Sequence, residues 1–412
     1  MPRRSGVRVP RDVTIAAAVV SISTAGDMAA QAALTLRLHA TTGSATSVSA
    51  LLLANSIPVL LCVPLSGYLA DRVDSRRLLA GSNLLCAVLC AALAAAGPQW
   101  LVLGLIACVA AVSAATAASL GALVPVMAGP AGVVRANTVL RGAVMVMSVA
   151  GLAVGGAGSQ WLGTGPVLLV DAATFLTAAL GAAVIRARRR GGRSGSARGT
   201  AASLEHQRPS APAVERWTVA GSYALVLLLV STTNVAQVFF VKDVLGASDL
   251  GFGLVSACWT VGTLLALPFV RRVRPDPGVL ARLTIGGEVV TGVAILGCGV
   301  LAAVPVTAAM YVLGGVGSCV MQIARGSYLQ LTAPEARRGR QLANYNAVVK
   351  AASIAALVLG GQLVELVGSR TTYLVAGAGA VIIAVGVGTF RRAHSSGRLL
   401  PLRPAPRAHS GT

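Results

Sequence analysis

The chain is 412 residues long, 55% hydrophobic but only 11% charged, with a mean hydropathy of +0.76. A water-soluble domain carries about 25% charged residues, so most of this surface must face something apolar, and soluble enzyme and nucleic-acid folds are excluded. The net charge of +21 resembles a phosphate-binding footprint, but 32 of the 34 cations are arginines in short clusters between apolar runs, where they act as topology signals rather than as a nucleic-acid surface. The seven cysteines (Cys62, Cys86, Cys90, Cys108, Cys258, Cys298 and Cys319) all fall inside apolar runs and behave as small hydrophobes, with neither disulfide nor zinc spacing.

Apolar runs and their polar punctuation predict an all-α integral membrane protein of twelve transmembrane helices in two pseudo-repeated six-helix bundles. The first six spans are expected at 13–36, 46–68, 78–96, 99–124, 137–161 and 165–185. The second six are expected at 217–241, 249–270, 280–303, 305–330, 342–367 and 371–390. Each can cross about 30 Å of hydrocarbon. The domain plan is a tail (1–12), an N-terminal bundle (13–185), a flexible linker rich in Arg, Gly, Ser and Pro (186–216), a C-terminal bundle (217–390) and a basic tail (391–412).

Orientation follows from the cations. Alternate connections and the two tails hold 28 of them, the opposite side only Arg37, Lys242 and Arg370, and Arg141, Arg325 and Lys350 lie within spans. Positive charge stays inside, so both termini and the linker are expected in the cytoplasm of a cell-membrane protein. Arg3 and Arg4 before the first run do not make a signal peptide, because a cleavage site is missing and a second span follows directly. Trp100, Trp161 and Trp217 fall at span ends, as interfacial anchors do.

The halves repeat weakly at an offset of about 203 to 207 residues. Gly43 to Leu51 aligns with Gly246 to Leu254, Pro64 with Pro268, and the stretch around Asn137 with that around Asn344. Between spans 2 and 3, Gly67, Asp71, Arg72, Asp74, Arg76 and Arg77 form the pattern Gly, four-residue gap, Asp-Arg, basic pair. With Gly26-Asp27, Thr42-Gly43-Ser44, Arg135-Ala-Asn137 and Pro334 to Arg340, the sequence resembles the major facilitator superfamily, and within it the proton-coupled branch of enterobactin exporters and macrolide efflux proteins. The resemblance covers roughly residues 13 to 390. It implies a cytoplasmic latch built from Gly67, Asp71, Arg72, Arg76 and Arg77 that holds the outward-facing state, with Gly67 permitting close helix approach; the alternative is a solvated loop of topogenic arginines.

Charge inside a membrane is expensive and marks function. Asp27 lies about 14 residues, or about 21 Å, into span 1, with Gln31 on the same face. Such a carboxyl can load a proton from one side and release it to the other, or it can lock helix packing through hydroxyls and amides. Glu288, six residues beyond Arg282, is placed near the cytoplasmic edge of span 9, where it handles protons, snorkels or pairs with a cation. Asp171 is expected near the outer end of span 6 as a capping or packing residue. Arg141, Arg325 and Lys350 can pair with these acids across the bundle or attract an anionic group. Gly151, Gly155 and Gly156 in span 5 resemble the glycine-rich antiporter motif without its proline, and Gly360 and Gly361 stand at the corresponding place in span 11. Glycines at that spacing let backbones meet. Asn55, Asn234, Gln237, Gln322 and Asn346, joined by Trp259 and Tyr345, are candidate cavity residues or buried helix-helix hydrogen bonders.

No nucleotide loop, catalytic carboxylate pair or His-Cys cluster is present, so an enzyme is not expected. The expectation is a monomeric secondary transporter without a cofactor, driven by the proton gradient, whose partners are a small amphiphilic substrate, protons and membrane lipids. It exports the substrate by alternating access. An importer, an uncoupled facilitator or a non-transporting receptor or scaffold are the alternatives.

Overall fold

The computed structural model describes residues 10–185, 213–270, 272–273, 276–333 and 338–396. Its first half contains α1 (Arg11–Thr42), α2 (Ala45–Arg72), α3 (Ser75–Ala95), α4 (Gln99–Gly129), α5 (Arg135–Trp161) and α6 (Thr164–Val184). The second contains α7 (Ala213–Phe239, extended by a π-helical turn, Phe240–Val244), α8 (Asp249–Val270), α9 (Pro277–Val300), α10 (Val304–Thr332), α11 (Arg338–Val367) and α12 (Ser369–Ser396). All twelve are long and apolar enough to cross a membrane, so this is a multi-pass membrane protein. Helices are forced on the chain because hydrocarbon satisfies no backbone group. The expected linker falls almost wholly outside the described residues, and α12 runs six residues past the expected end of the last span.

The connections show why the chain turns where it does. Asp74 accepts hydrogen bonds from the amides of Arg76 and Arg77 (3.0 and 3.1 Å) to cap α3, and Asp276 accepts from Val279 (2.8 Å) to cap α9 beside Pro277. Gly43 and Gly246 turn the chain at φ 60° and 62°, Gly163 and Gly368 at φ 85° and 80°. Each pair is one repeat apart, and only glycine enters that region without cost.

The same pairing of helices recurs in both halves. Helix α1 packs on α5 and α6 as α7 packs on α11 and α12, and α3 packs on α6 as α9 packs on α12. The halves meet through α5 with α8 and α2 with α11. A Cβ at Gly155 would strike the backbone of Ala29 in α1, and one at Gly360 would strike Thr232 in α7. Their neighbours do the same across the halves: Gly156 lies against Asp249 and Gly253 of α8, and Gly361 against Ala45 and Ser49 of α2. Each Gly-Gly step thus turns one glycine to its own half and the next to the other, backbone against backbone.

This seam closes one end only. Toward the arginine-poor end, α2 buries Ala45, Val48, Ser49, Leu51 and Leu52, and α11 buries Leu357, Gly360, Gly361 and Val364. Toward the arginine-rich end α2 and α8 are bare, with Leu61 71% and Phe269 68% exposed. A Cβ at Gly67 would meet nothing within 4 Å. The expected close approach at that glycine is therefore absent in this arrangement.

Replacing Gly156 or Gly361 with Leu should cost about 1–3 kcal/mol of stability through overpacking, read as a lowered unfolding temperature in detergent. Gly286, where a Cβ meets nothing within 4 Å, should accept the same change with little effect.

Candidate functional site

The sealed end is held by two clamps related by the repeat. The Gln160 side chain at the end of α5 accepts a hydrogen bond from the amide of Leu250 in the first turn of α8 (3.1 Å). One repeat later, Glu365 at the end of α11 accepts from the amide of Thr46 (3.0 Å), its hydroxyl (2.6 Å) and the Ser44 hydroxyl (2.8 Å) at the start of α2. A carboxylate at a helix N-terminus satisfies orphan amides and complements the dipole. Between the clamps His39 of α1 lies 2.9 Å from Asp243 of α7 and edge-on to Phe239. Sequence reasoning missed Gln160, Glu365 and this pair; the repeat offset, applied to residue 160, would have led to 365.

The three cations at this end are spent locally. Arg37 donates to the carbonyl of Ala96 (2.9 Å) at the end of α3, Arg370 to that of Gly299 (2.9 Å) at the end of α9, and Lys242 lies 2.6 Å from Asp249. Arginines at helix C-termini cover last-turn carbonyls, which explains why these few cations stand at the otherwise arginine-poor end.

Inside the N-terminal half, Asp27 occupies a turn of α1 whose other faces are taken: Ala25 and Ala29 touch Gly151 and Gly155 of α5, and Gly26 packs against Asp171 and Thr174 of α6. Asp171 is 2% exposed and accepts from the Cys90 thiol of α3 (3.4 Å) and the Thr174 hydroxyl (3.3 Å). It is the eighth residue of α6, too deep to cap it, so of the two expected roles the structure keeps packing. The turn that bears Asp27 thus adjoins the Asp171 carboxylate through Gly26, and among the described residues neither acid meets a cation. Gln31, one turn on from Asp27, is half-buried.

The C-terminal half contains Glu288, and its expected place at the membrane edge is corrected. Helix α9 begins at Pro277 rather than 280 and ends at Val300, so Glu288 is its twelfth residue of 24, in mid-span and fully buried. Snorkelling is impossible there. One carboxylate oxygen accepts from Ser222 of α7 (3.1 Å); the other has no partner. Glycine at 287 makes room, since a Cβ would strike Gly317 and Met321 of α10. Nearby Arg325 donates to the Tyr345 hydroxyl (2.9 Å) and lies 3.9 Å over the Tyr223 ring.

The remaining candidates divide by exposure. Asn55, Asn234, Gln322 and Asn346 are exposed. Helix α7 is the most buried of the twelve spans, so an exposed Asn234 on it faces an internal cavity rather than lipid. Gln237 is half-buried and donates to Ser256 (2.7 Å), and Trp259 packs edge-on to Tyr311 and against Gly314; these two hold α7, α8 and α10 together. Tyr345 is only 4% exposed, so it is corrected from a cavity-lining residue to the support of Arg325.

At the open end, Arg72 lies 4.3 Å over the Tyr68 ring, and the Arg76 guanidinium donates to the Ala183 carbonyl at the end of α6. Arg77 lines an apolar groove of about 460 Å³ between α2, α3 and α4. The Asp71 side chain lies outside the described residues. None of these bonds reaches the other half.

A sequence profile described as Major Facilitator Superfamily matches residues 16–269 and 219–410. No curated protein sequence matches the chain. Among solved structures it is similar to the nucleoside transporter NupG (TM-score 0.73, 13% identity, 92% of this chain and 99% of that one). It is likewise similar to PepTSo, a POT family transporter (0.72, 12%, 94% and 99%), and to a bacterial homologue of the human lysosomal transporter Spinster in an inward-facing, occupied conformation (0.71, 14%, 95% and 98%). At these identities the likeness shows the fold, and the matching profile with the twelve-helix architecture shows the rest: the chain is a transporter of the major facilitator superfamily.

Proposed function

We propose that this transporter exports a small amphiphilic compound, such as a drug, antibiotic or siderophore-like metabolite, across the cell membrane in exchange for protons. The observation that carries the reading is the acid pair Asp27 and Asp171, set on α1 and α6 beside the glycine seam of α5 with no cation at hand among the described residues. Two carboxylates so placed repel when both are ionised, and one proton between them removes that cost. Helix α5 touches both the turn that bears Asp27, through Gly151 and Gly155, and α8 of the other half, through Gly156. Loss or gain of that proton therefore acts one residue away from the contact that seals the molecule.

In this reading both termini are cytoplasmic, the open end faces the cytoplasm, and the structure is the inward-facing state that takes up cargo. The exposed Asn55, Asn234, Gln322 and Asn346 then line its cavity, with Gln31 and Gln237 partly accessible. Glu288 is a second proton-handling candidate, held by a single serine hydroxyl. The group Gly67, Asp71, Arg72, Arg76 and Arg77 is a latch in its released state, and it re-forms when the arginine-rich ends close and the Gln160 and Glu365 clamps open.

Asp27→Asn should abolish gradient-driven substrate movement and gradient collapse in proteoliposomes with an imposed pH difference, while membrane insertion and unfolding temperature stay at the parent values. Coupling that survives this change would remove Asp27 from the cycle. The cargo for the assay comes from comparing drug susceptibility of cells with and without the protein.

Gln160→Ala combined with Glu365→Ala removes both clamps. With both helix N-terminal acceptors gone, the population open at the arginine-poor end should rise severalfold. Nitroxide labels at Thr42 and Ser248, measured by pulsed electron spin resonance, should then report a new longer distance.

A further inference from the structure

Three cations lie within membrane-spanning helices: Arg141 on α5, Arg325 on α10 and Lys350 on α11. Among the described residues the ion pairs are His39 with Asp243 and Lys242 with Asp249, both at the sealed end. Among the described residues none of the three intramembrane cations pairs with an acid. Of the intramembrane acids, Glu288 is fully buried and Asp171 2% exposed, while Asp27 is half-buried.

The helical register says where these cations point. Arg141 begins a stripe that runs through Met145, Ser148 and Leu152 to Gly156, the face of α5 that meets α8. Lys350 lies on the stripe from Asn346 through Leu357 to Gly361, the face of α11 that meets α2. Both residues are exposed. The two faces that seal the molecule at one end thus each carry a cation where they part at the other. Arg325 on α10 is half-buried, its Cζ 3.9 Å over the Tyr223 ring centre and 4.8 Å from that of Tyr345. One terminal nitrogen is bound by the Tyr345 hydroxyl at 2.9 Å, and the other is uncommitted among the described residues. A guanidinium stacked between rings keeps its donor edge fixed, and an unpaired cation in a membrane protein marks a pathway for a complementary charge.

We propose that the cavity takes cargo through a negatively charged group, a carboxylate, sulfonate or phosphate, bound at the free edge of Arg325, with Arg141 and Lys350 drawing it in from opposite walls. The inference rests on reading the open end as the cargo cavity of a transporter; it needs neither the export direction nor proton coupling.

The test uses the full chain carrying Asn346→Cys in nanodiscs of phosphatidylcholine, with the thiol at position 346 followed by peptide mass. Relative to a free thiol in solution, sulfonatoethyl methanethiosulfonate should react about tenfold faster than its trimethylammonium counterpart. Adding Arg325→Gln and Lys350→Gln should bring the two rates within about twofold. In the same protein 2-naphthalenesulfonate should shield the thiol from N-ethylmaleimide where the matching naphthyl trimethylammonium ion does not, and Arg325→Gln should raise the half-protecting concentration about tenfold. Equal or faster reaction of the cationic reagent, a preference that persists in the double variant, or equal shielding by both naphthyl compounds overturns the proposal. Absence of gradient-driven transport in the unsubstituted protein, alongside an intact charge preference, would overturn the exporter reading and leave this one standing.

Discussion

Backbone-to-backbone contact at four points, Gly156 on Gly253, Gly361 on Ala45, Gly155 on Ala29 and Gly360 on Thr232, is the constraint from which the rest of the architecture follows. In a bilayer there is no hydrophobic gain in pressing one apolar helix on another, so association depends on close van der Waals packing and on hydrogen bonds. Missing side chains supply the first, and the Gln160 and Glu365 clamps supply the second. Because both devices sit at one end, the helices diverge at the other, and Pro58, Pro64 and Pro268 fall in the diverging stretches of α2 and α8.

The two clamps are geometrically equivalent but chemically unequal. Gln160 offers one neutral acceptor to one amide, whereas Glu365 collects three donors with a formal charge. Charge-assisted bonds are roughly twice as strong as neutral ones, so the α2–α11 contact resists opening more than the α5–α8 contact does. The His39 and Asp243 side chains, the first largely covered and the second exposed, add a hydrogen bond between the halves at the same end. Asymmetry of this kind lets a symmetric scaffold part in sequence.

Much of this was legible from the residues, and the failures have physical reasons. Twelve spans, the half-to-half repeat and the packing role of Gly151, Gly155, Gly156, Gly360 and Gly361 follow from run lengths and spacing, which the bilayer enforces strictly. The sequence places Glu288 too near the edge because a helix start read three residues late, at 280 rather than Pro277, shifts a side chain by about 4.5 Å along the span. Tyr345 reads in sequence as a polar aromatic on a cavity helix, yet its neighbour Asn346 takes the open face and the tyrosine turns inward to Arg325. Gln160 and Glu365 carry no local signal, since a polar residue at the end of a span is ordinary; only their partnership with helix starts 90 and 319 residues away gives them meaning.

Acids and cations end up in separate places. Asp171 and Glu288 lie within the halves, held by thiol and hydroxyl donors, and Asp27 lies half-buried on α1 beside the glycines of α5, while Arg141 and Lys350 stand on the faces between the halves and Arg325 rests on Tyr223 and Tyr345. A cation on the cavity wall can be neutralised by what enters, and a carboxyl inside a bundle can be neutralised only by a proton. The two kinds of site therefore accept different species without competing for the same atoms. What joins them is mechanical, because α5 presents Arg141 and Gly156 on the face toward the other half, and Gly151 and Gly155 on the face toward Asp27.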